Sequence, residues 1–183
     1  MKIVKIIFLT IFFGVGGLLL FATTRPDSFR VERNVDIKAT AAKIFPYVND
    51  LKKGAEWSPW EKTDPQMKRT YTGPVAGKGA GYAWEGNREA GKGRMAITES
   101  VTNERVTVAL HFDEPMAGDN VVEYILTPKG EYTNVKWAMG GPMPYISKVV
   151  CLFMDMDKMV GGQFEKGLQS LKAVAENKPD LPR

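Results

Sequence analysis

Residues 79–93 read GAGYAWEGNREAGKG, and six glycines fall between Gly77 and Gly93 with Tyr82 and Trp84 set among them. Such a stretch is either a loop that cradles phosphate or a pair of strands that must bend. GKGRMA, Gly91 to Ala96, fits G-x-G-x-x-A. A dinucleotide site, however, needs a helix next, so that its N-terminal amides meet the pyrophosphate. Here Met95, Ile97, Glu99 and Val101 follow in alternation, which is strand. Gly73 to Lys78 is one residue short of G-x-x-x-x-G-K, and Gly79 stands where Ser or Thr belongs. The strand reading explains more. Tyr82 and Trp84 share one face, the glycines mark bends or close backbone approach, and Glu85 to Glu89 turns the hairpin.

The same period of two extends outward from this hairpin. MKRTYTG, GAGYAWEGN, GKGRMAITESV, ERVTVALHFD, DNVVEYILTP and TNVKWAMGG are six strand candidates between Lys68 and Met139. Their connections are short and rich in turn residues, which implies an antiparallel meander, since parallel neighbours need long crossovers. Upstream, FRVERNVDI alternates apolar and charged residues with one apparent slip at Arg33–Asn34. Thr40 is placed to cap a short helix over AAKIFPYVND, which Pro46 should shorten or bend. A second short helical piece and polar turns follow in LKKGAEWSPWEKTDP. Downstream, apolar residues recur at steps of three and four from Ile146 to Val174, predicting one long amphipathic helix over Tyr145 to Ala175. Gly161 and Gly162, each costing about 1 kcal/mol relative to alanine, should mark a bend or a close approach to the sheet.

The expected fold is therefore α+β. A seven-stranded curved antiparallel sheet wraps a long C-terminal helix, and an apolar cavity can remain between them. Trp57, Trp60, Tyr82, Trp84, Met95, Phe112, Trp137, Met139, Phe153 and Met156 are the candidate lining residues. Aromatic and methionine side chains give a wall that adapts to varied apolar ligands.

The N-terminus is different in kind. Ile6 to Ala22 is a run of 17 residues without charge, and Ile3 and Val4 extend it if Lys5 snorkels. About 20 residues span a hydrocarbon core near 30 Å thick. Small residues at the positions required for signal cleavage are poorly placed, which favours an uncleaved anchor through residues 3–22. Lys2 and Lys5 would hold the N-terminus cytoplasmic against Arg25, Arg30, Arg33 and Lys38, so the single-pass chain is expected to carry its domain outside the cytoplasm. The chain then divides into an anchor (1–25), a domain (26–178) and a tail (179–183).

Composition excludes several functions. The formal charge of +4 is modest and its basic residues are scattered, with no nucleic-acid footprint. Cys151 and His111 are each the sole residue of their type, so an intramolecular disulfide and a Cys-based zinc site are out of reach, and a His-based metal site or a Ser-His-Asp triad would have nothing to spare. No cofactor is expected.

Several strings resemble the START-like (SRPBCC) superfamily, within it the polyketide cyclase/dehydrase-like group. They are WSPW with the following Asp64–Pro65, YTGPVAGKGAGYAWEGN, GKGRMAITES, VKWAMGG and DMDKMVGGQFEKGLQSLK. The resemblance spans roughly residues 28–177. It implies a helix-grip fold with a hydrophobic pocket between sheet and helix, and binding of lipids, polyketides or other apolar small molecules. It supplies no universal catalytic set. Three functions follow. The first is a membrane-anchored binder of a hydrophobic small molecule or lipid. The second is a cyclase/dehydrase-like enzyme without metal, using acid–base groups among Glu85, Glu99, His111 and Glu123. The third is an envelope interaction or stress-response module whose pocket is filled by Trp84, Trp137 and Met156.

Overall fold

The computed structural model describes residues 2–177, with side chains from residue 4 onward; the tail over 179–183 lies outside the described residues. An apolar helix α1 (Lys2–Thr23) precedes β1 (Ser28–Ile37) and α2 (Ala41–Asn49). Two 3₁₀ turns follow (Lys53–Glu56 and Pro59–Lys62) where the second helical piece was expected. The meander then runs through β2 (Lys68–Thr72), β3 (Gly81–Glu85), β4 (Lys92–Val101), β5 (Arg105–Glu114), β6 (Gly118–Lys129) and β7 (Tyr132–Pro142). All neighbours pair antiparallel in the order β1-β7-β6-β5-β4-β3-β2, so β1 closes against the last strand. The seven strands and C-terminal helix fit the helix-grip arrangement.

Register gathers distant residues into inward rows. Tyr82 faces Met95, which faces Leu110, and Trp84 faces Gly93, which faces Phe112. Val108 faces Val122, which faces Met139, while Tyr124 faces Trp137. Register shifts between Lys92 and Gly93 and between Ile97 and Glu99 bend β4. Gly93 is required for packing: a Cβ there would lie 2.6 Å from the Trp84 ring and 2.5 Å from the His111 carbonyl. The missing side chain is the space into which the indole folds.

Three local expectations are corrected. The long C-terminal helix is two helices, α3 (Tyr145–Val150) and α4 (Met156–Asn177). The break falls at Cys151 to Asp155, not at the paired glycines, because Asp155 starts α4 as a cap. Its carboxylate accepts from the Lys158 N–H at 3.1 Å, and its carbonyl accepts from the Met159 N–H. The apolar spacing runs through this turn and so hides it. Gly161 sits inside α4 and fits the other expectation, a close approach to the sheet: a side chain there would meet the Arg33 guanidinium of β1.

The slip at Arg33 is also absent. Phe29, Val31, Arg33, Val35 and Ile37 keep one inward phase, and Arg33 takes the core-facing position by pairing with Asp157 at 2.8 Å and Glu165 at 2.7 Å on α4. These bonds pin the helix to the sheet edge, and the Arg33 guanidinium holds the Asp157 carboxyl below its usual range. Finally, of the two effects expected of Pro46, ending α2 early is absent. The helix begins at Ala41 with Thr40 as its cap, and it continues to Asn49, where Asp50 bonds back to the Pro46 carbonyl.

Candidate ligand cavity

Sheet, α2, the 3₁₀ turns and α4 enclose a cavity of about 370 Å³. That lies in the usual range for small-molecule sites, roughly 300–1,000 Å³. Trp57, Trp60, Tyr82, Trp84, Met95, Phe112, Trp137, Met139 and Met156 all line it. Phe153 does not. The break before α4 places it outside the enclosure, 73% exposed. Leu110, Val108, Val122 and Tyr124 complete the sheet side of the wall; strand phase could have named them.

One wall is a ring cluster. Trp137 stacks on Phe164 with centroids 4.2 Å apart, and Trp57 and Trp60 meet Trp137 edge-on at 5.1 and 5.4 Å. Trp57 donates its indole N–H to the Tyr47 carbonyl at 2.9 Å, fixing the ring. The Trp137 indole N–H is buried and has no hydrogen-bond partner among the described residues. The opposite wall carries Tyr82 stacked between Tyr71 and Trp84, with Trp84 edge-on to Phe112. Trp84 is held from behind by its N–H bond to the Ala90 carbonyl at 3.0 Å, within the β3–β4 hairpin. Asp64 supports that hairpin by accepting from the Asn87 backbone N–H at 2.7 Å.

The polar groups are few and differ from the expected ones. Glu85, Glu99 and Glu123 pair with Lys92, Arg105 and Arg30 on the outer face. His111 lies 2.6 Å from Asp119 and 3.4 Å from Asp113 at the sheet end. None of these four lines the cavity. Glu61 does. Its carboxylate accepts from the Tyr82 hydroxyl at 2.7 Å and from Arg69 Nε at 2.8 Å, and Arg69 Nη2 also donates to the Glu61 carbonyl. Burial, then the Glu61 carboxylate, pushes the Tyr82 phenol far above its ordinary value, while Glu61 raises the Arg69 guanidinium. Tyr124 is also held upward, by burial alone. Its side chain is half-buried and lines the cavity.

Glu61 follows Pro59 and Trp60 on a 3₁₀ turn and has no periodicity to reveal it. A signal existed on its partner: Arg69 shares the inward phase of β2 with Tyr71, and an inward arginine needs a carboxylate. Among the described residues, no group of three or more His, Cys, Asp or Glu side chains is placed to hold a metal ion.

Solved structures with this fold diverge widely in sequence. A protein from Chromobacterium violaceum is 17% identical with a TM-score of 0.58, the match covering 84% of this chain and all of that one. The Aha1 dimer from Colwellia psychrerythraea is 16% identical with a TM-score of 0.58, covering 81% and 97% of the respective chains. DynU16, described as a putative protein in the dynemicin biosynthetic locus, is 14% identical with a TM-score of 0.57, covering 84% of this chain and 48% of its own. These likenesses speak to fold alone. Curated proteins yield no sequence match. The sequence profile of the family described as "Polyketide cyclase / dehydrase and lipid transport" matches residues 28–176, from the first residue of β1 almost to the end of α4. The chain belongs to that family.

Proposed function

We propose that this protein binds a hydrophobic small molecule or lipid in the cavity between sheet and α4, and that α1 tethers it to a membrane. The supporting observation is the cavity itself: aromatic and methionine walls with a small polar corner where the Tyr82 hydroxyl donates to Glu61. Apolar pockets with a few convergent polar groups orient a ligand by one end and take its bulk by area. For the tether, α1 offers Val4–Thr23, long and apolar enough to cross a bilayer. Signal sequences share that character, so membrane fractionation of the full chain is a separate test.

Ligand binding is tested by native mass spectrometry and solvent extraction of the full chain purified in detergent. An apolar molecule should co-purify and be lost on Val122→Phe, which fills the wall. Recovery of only detergent and of bulk phospholipid in membrane proportion, from both proteins, overturns the reading.

Of the titratable groups in the wall, which include Asp50 and Asp119, the enzymatic alternative rests best on Glu61 and Tyr82, because they are hydrogen-bonded to each other. It is the weaker reading. General acid catalysis favours a group that titrates near the working pH. Tyr82 is displaced upward, away from neutrality, with its proton engaged by Glu61. That arrangement suits a fixed hydrogen-bonding corner better than proton transfer.

A further inference from the structure

The contacts that hold α1 to the domain fix where the domain sits relative to a bilayer. The Tyr145 hydroxyl, at the start of α3, donates to the Leu19 carbonyl of α1 at 2.9 Å. Lys148 of α3 is buried and paired with Asp27 of the short linker, and Ala22 is fully buried. Leu19 lies four residues inside the end of the apolar helix at Thr23. At 1.5 Å per residue it is therefore about 6 Å inside that end. The start of α3, held against that level, lies at the depth of an interfacial helix, about 5–10 Å into the boundary, where tyrosines collect.

The side chains fit that depth. Ile146 is 68% exposed and Phe153 73%, with Val150 and Met154 also exposed on α3 and the turn after it. An apolar patch of this kind is unusual on a freely soluble surface. The cavity reaches the same end of the sheet. Ser28 pairs with Pro142 there and the β5–β6 hairpin turns beside it. Met116 at the hairpin tip, Pro142, Pro144 and Ser147 all line the cavity, and Met116 is half exposed.

We infer that the exposed face of α3 and its following turn seats in the headgroup layer of the bilayer that holds α1, so that the cavity opens directly onto lipid. This rests on the proposed tethering by α1. The occupant is a lipid surface because the patch begins on α3, whose first residue is hydrogen-bonded to the apolar helix at Leu19.

The test uses the full chain with Cys151→Ser, reconstituted in phosphatidylcholine nanodiscs containing headgroup- or acyl-chain-quencher lipids. Single cysteines carry a fluorophore at Phe153→Cys, Met116→Cys, Phe12→Cys within α1, or Val75→Cys in the β2–β3 loop at the opposite end of the sheet. Every site is exposed, so labelling leaves the core intact. The expected result is headgroup quenching at 153 and 116 several-fold stronger than at 75, with acyl-chain quenching at 12. Quenching at 12 but not at 153 or 116 overturns this inference and leaves the tether standing. No quenching at 12 overturns the tether, and this inference with it.

Discussion

Replacing Glu61 with alanine tests whether the cavity's polar corner is a fixed assembly. The substitution removes the acceptor of two charge-assisted bonds, from Tyr82 at 2.7 Å and Arg69 at 2.8 Å. Bonds to charged groups contribute about 1.5–3 kcal/mol each. The Glu61 side chain is 11% exposed and that of Arg69 26%, so water replaces little of what is lost. Arg69 does keep its bond to the Met67 carbonyl, which limits the penalty. The expected cost is about 3–4 kcal/mol. For a chain of this length that lowers Tm by roughly 10 °C, at about 2–4 °C per kcal/mol. Tyr82→Phe removes one bond and its own donor together, and should cost only about 1–2 kcal/mol. The double variant should cost less than the sum by about 1–2 kcal/mol, because the singles break the same bond. The assay is thermal unfolding of the full chain in detergent micelles, followed by tryptophan fluorescence at one scan rate. A shift below about 2 °C for Glu61→Ala, or strict additivity with Tyr82→Phe, refutes the reasoning.

Gly93→Ala should lower stability by about 1–3 kcal/mol and weaken ligand retention, because the new methyl displaces the Trp84 ring; an unchanged Tm and unchanged retention would count against the close approach. Val122→Phe should change stability by less than about 1.5 kcal/mol while reducing bound apolar ligand, since its side chain enters space already open; a larger loss, as for an overpacked core, would mean that no usable cavity adjoins Val122. Tyr71, Tyr82 and Tyr124 are held above the ordinary tyrosine value, so the folded state prefers the protonated phenol. Their contribution is fully present below about pH 10 and is lost as pH rises beyond it, when the unfolded chain ionises first. Ultraviolet titration should therefore show part of the six tyrosines ionising only with unfolding; simple titration of all six near the ordinary value would contradict the burial.

Strand order and cavity wall were legible because alternation reports burial directly. Tyr82, Trp84, Phe112 and Trp137 each sit on the apolar phase of a strand, and strand phase alone turns them inward. The C-terminal break was not legible, since Leu152, Phe153 and Met154 continue an apolar pattern that fits a helix as well as a turn. Only Asp155, read as a cap, distinguishes the two. Arg33 was misjudged for a related reason. A charged residue on an inward phase looks like a slip until Asp157 and Glu165, over 120 residues away, are brought beside it. Glu61 was missed because a 3₁₀ turn has too few residues to show a period.

The connection between α1 and β1 is only Thr24 to Asp27, four residues. Fully extended, four residues reach about 14 Å. With α1 in a bilayer, the domain therefore has almost no radius of action. So tethered, it could not ferry cargo across an aqueous gap in the manner of a diffusing carrier. On that tether, whatever enters the cavity would already be in the membrane or be delivered to its surface. Any transfer onward would then go to a recipient that docks within one domain's diameter, and membrane density and encounter in two dimensions would govern its traffic.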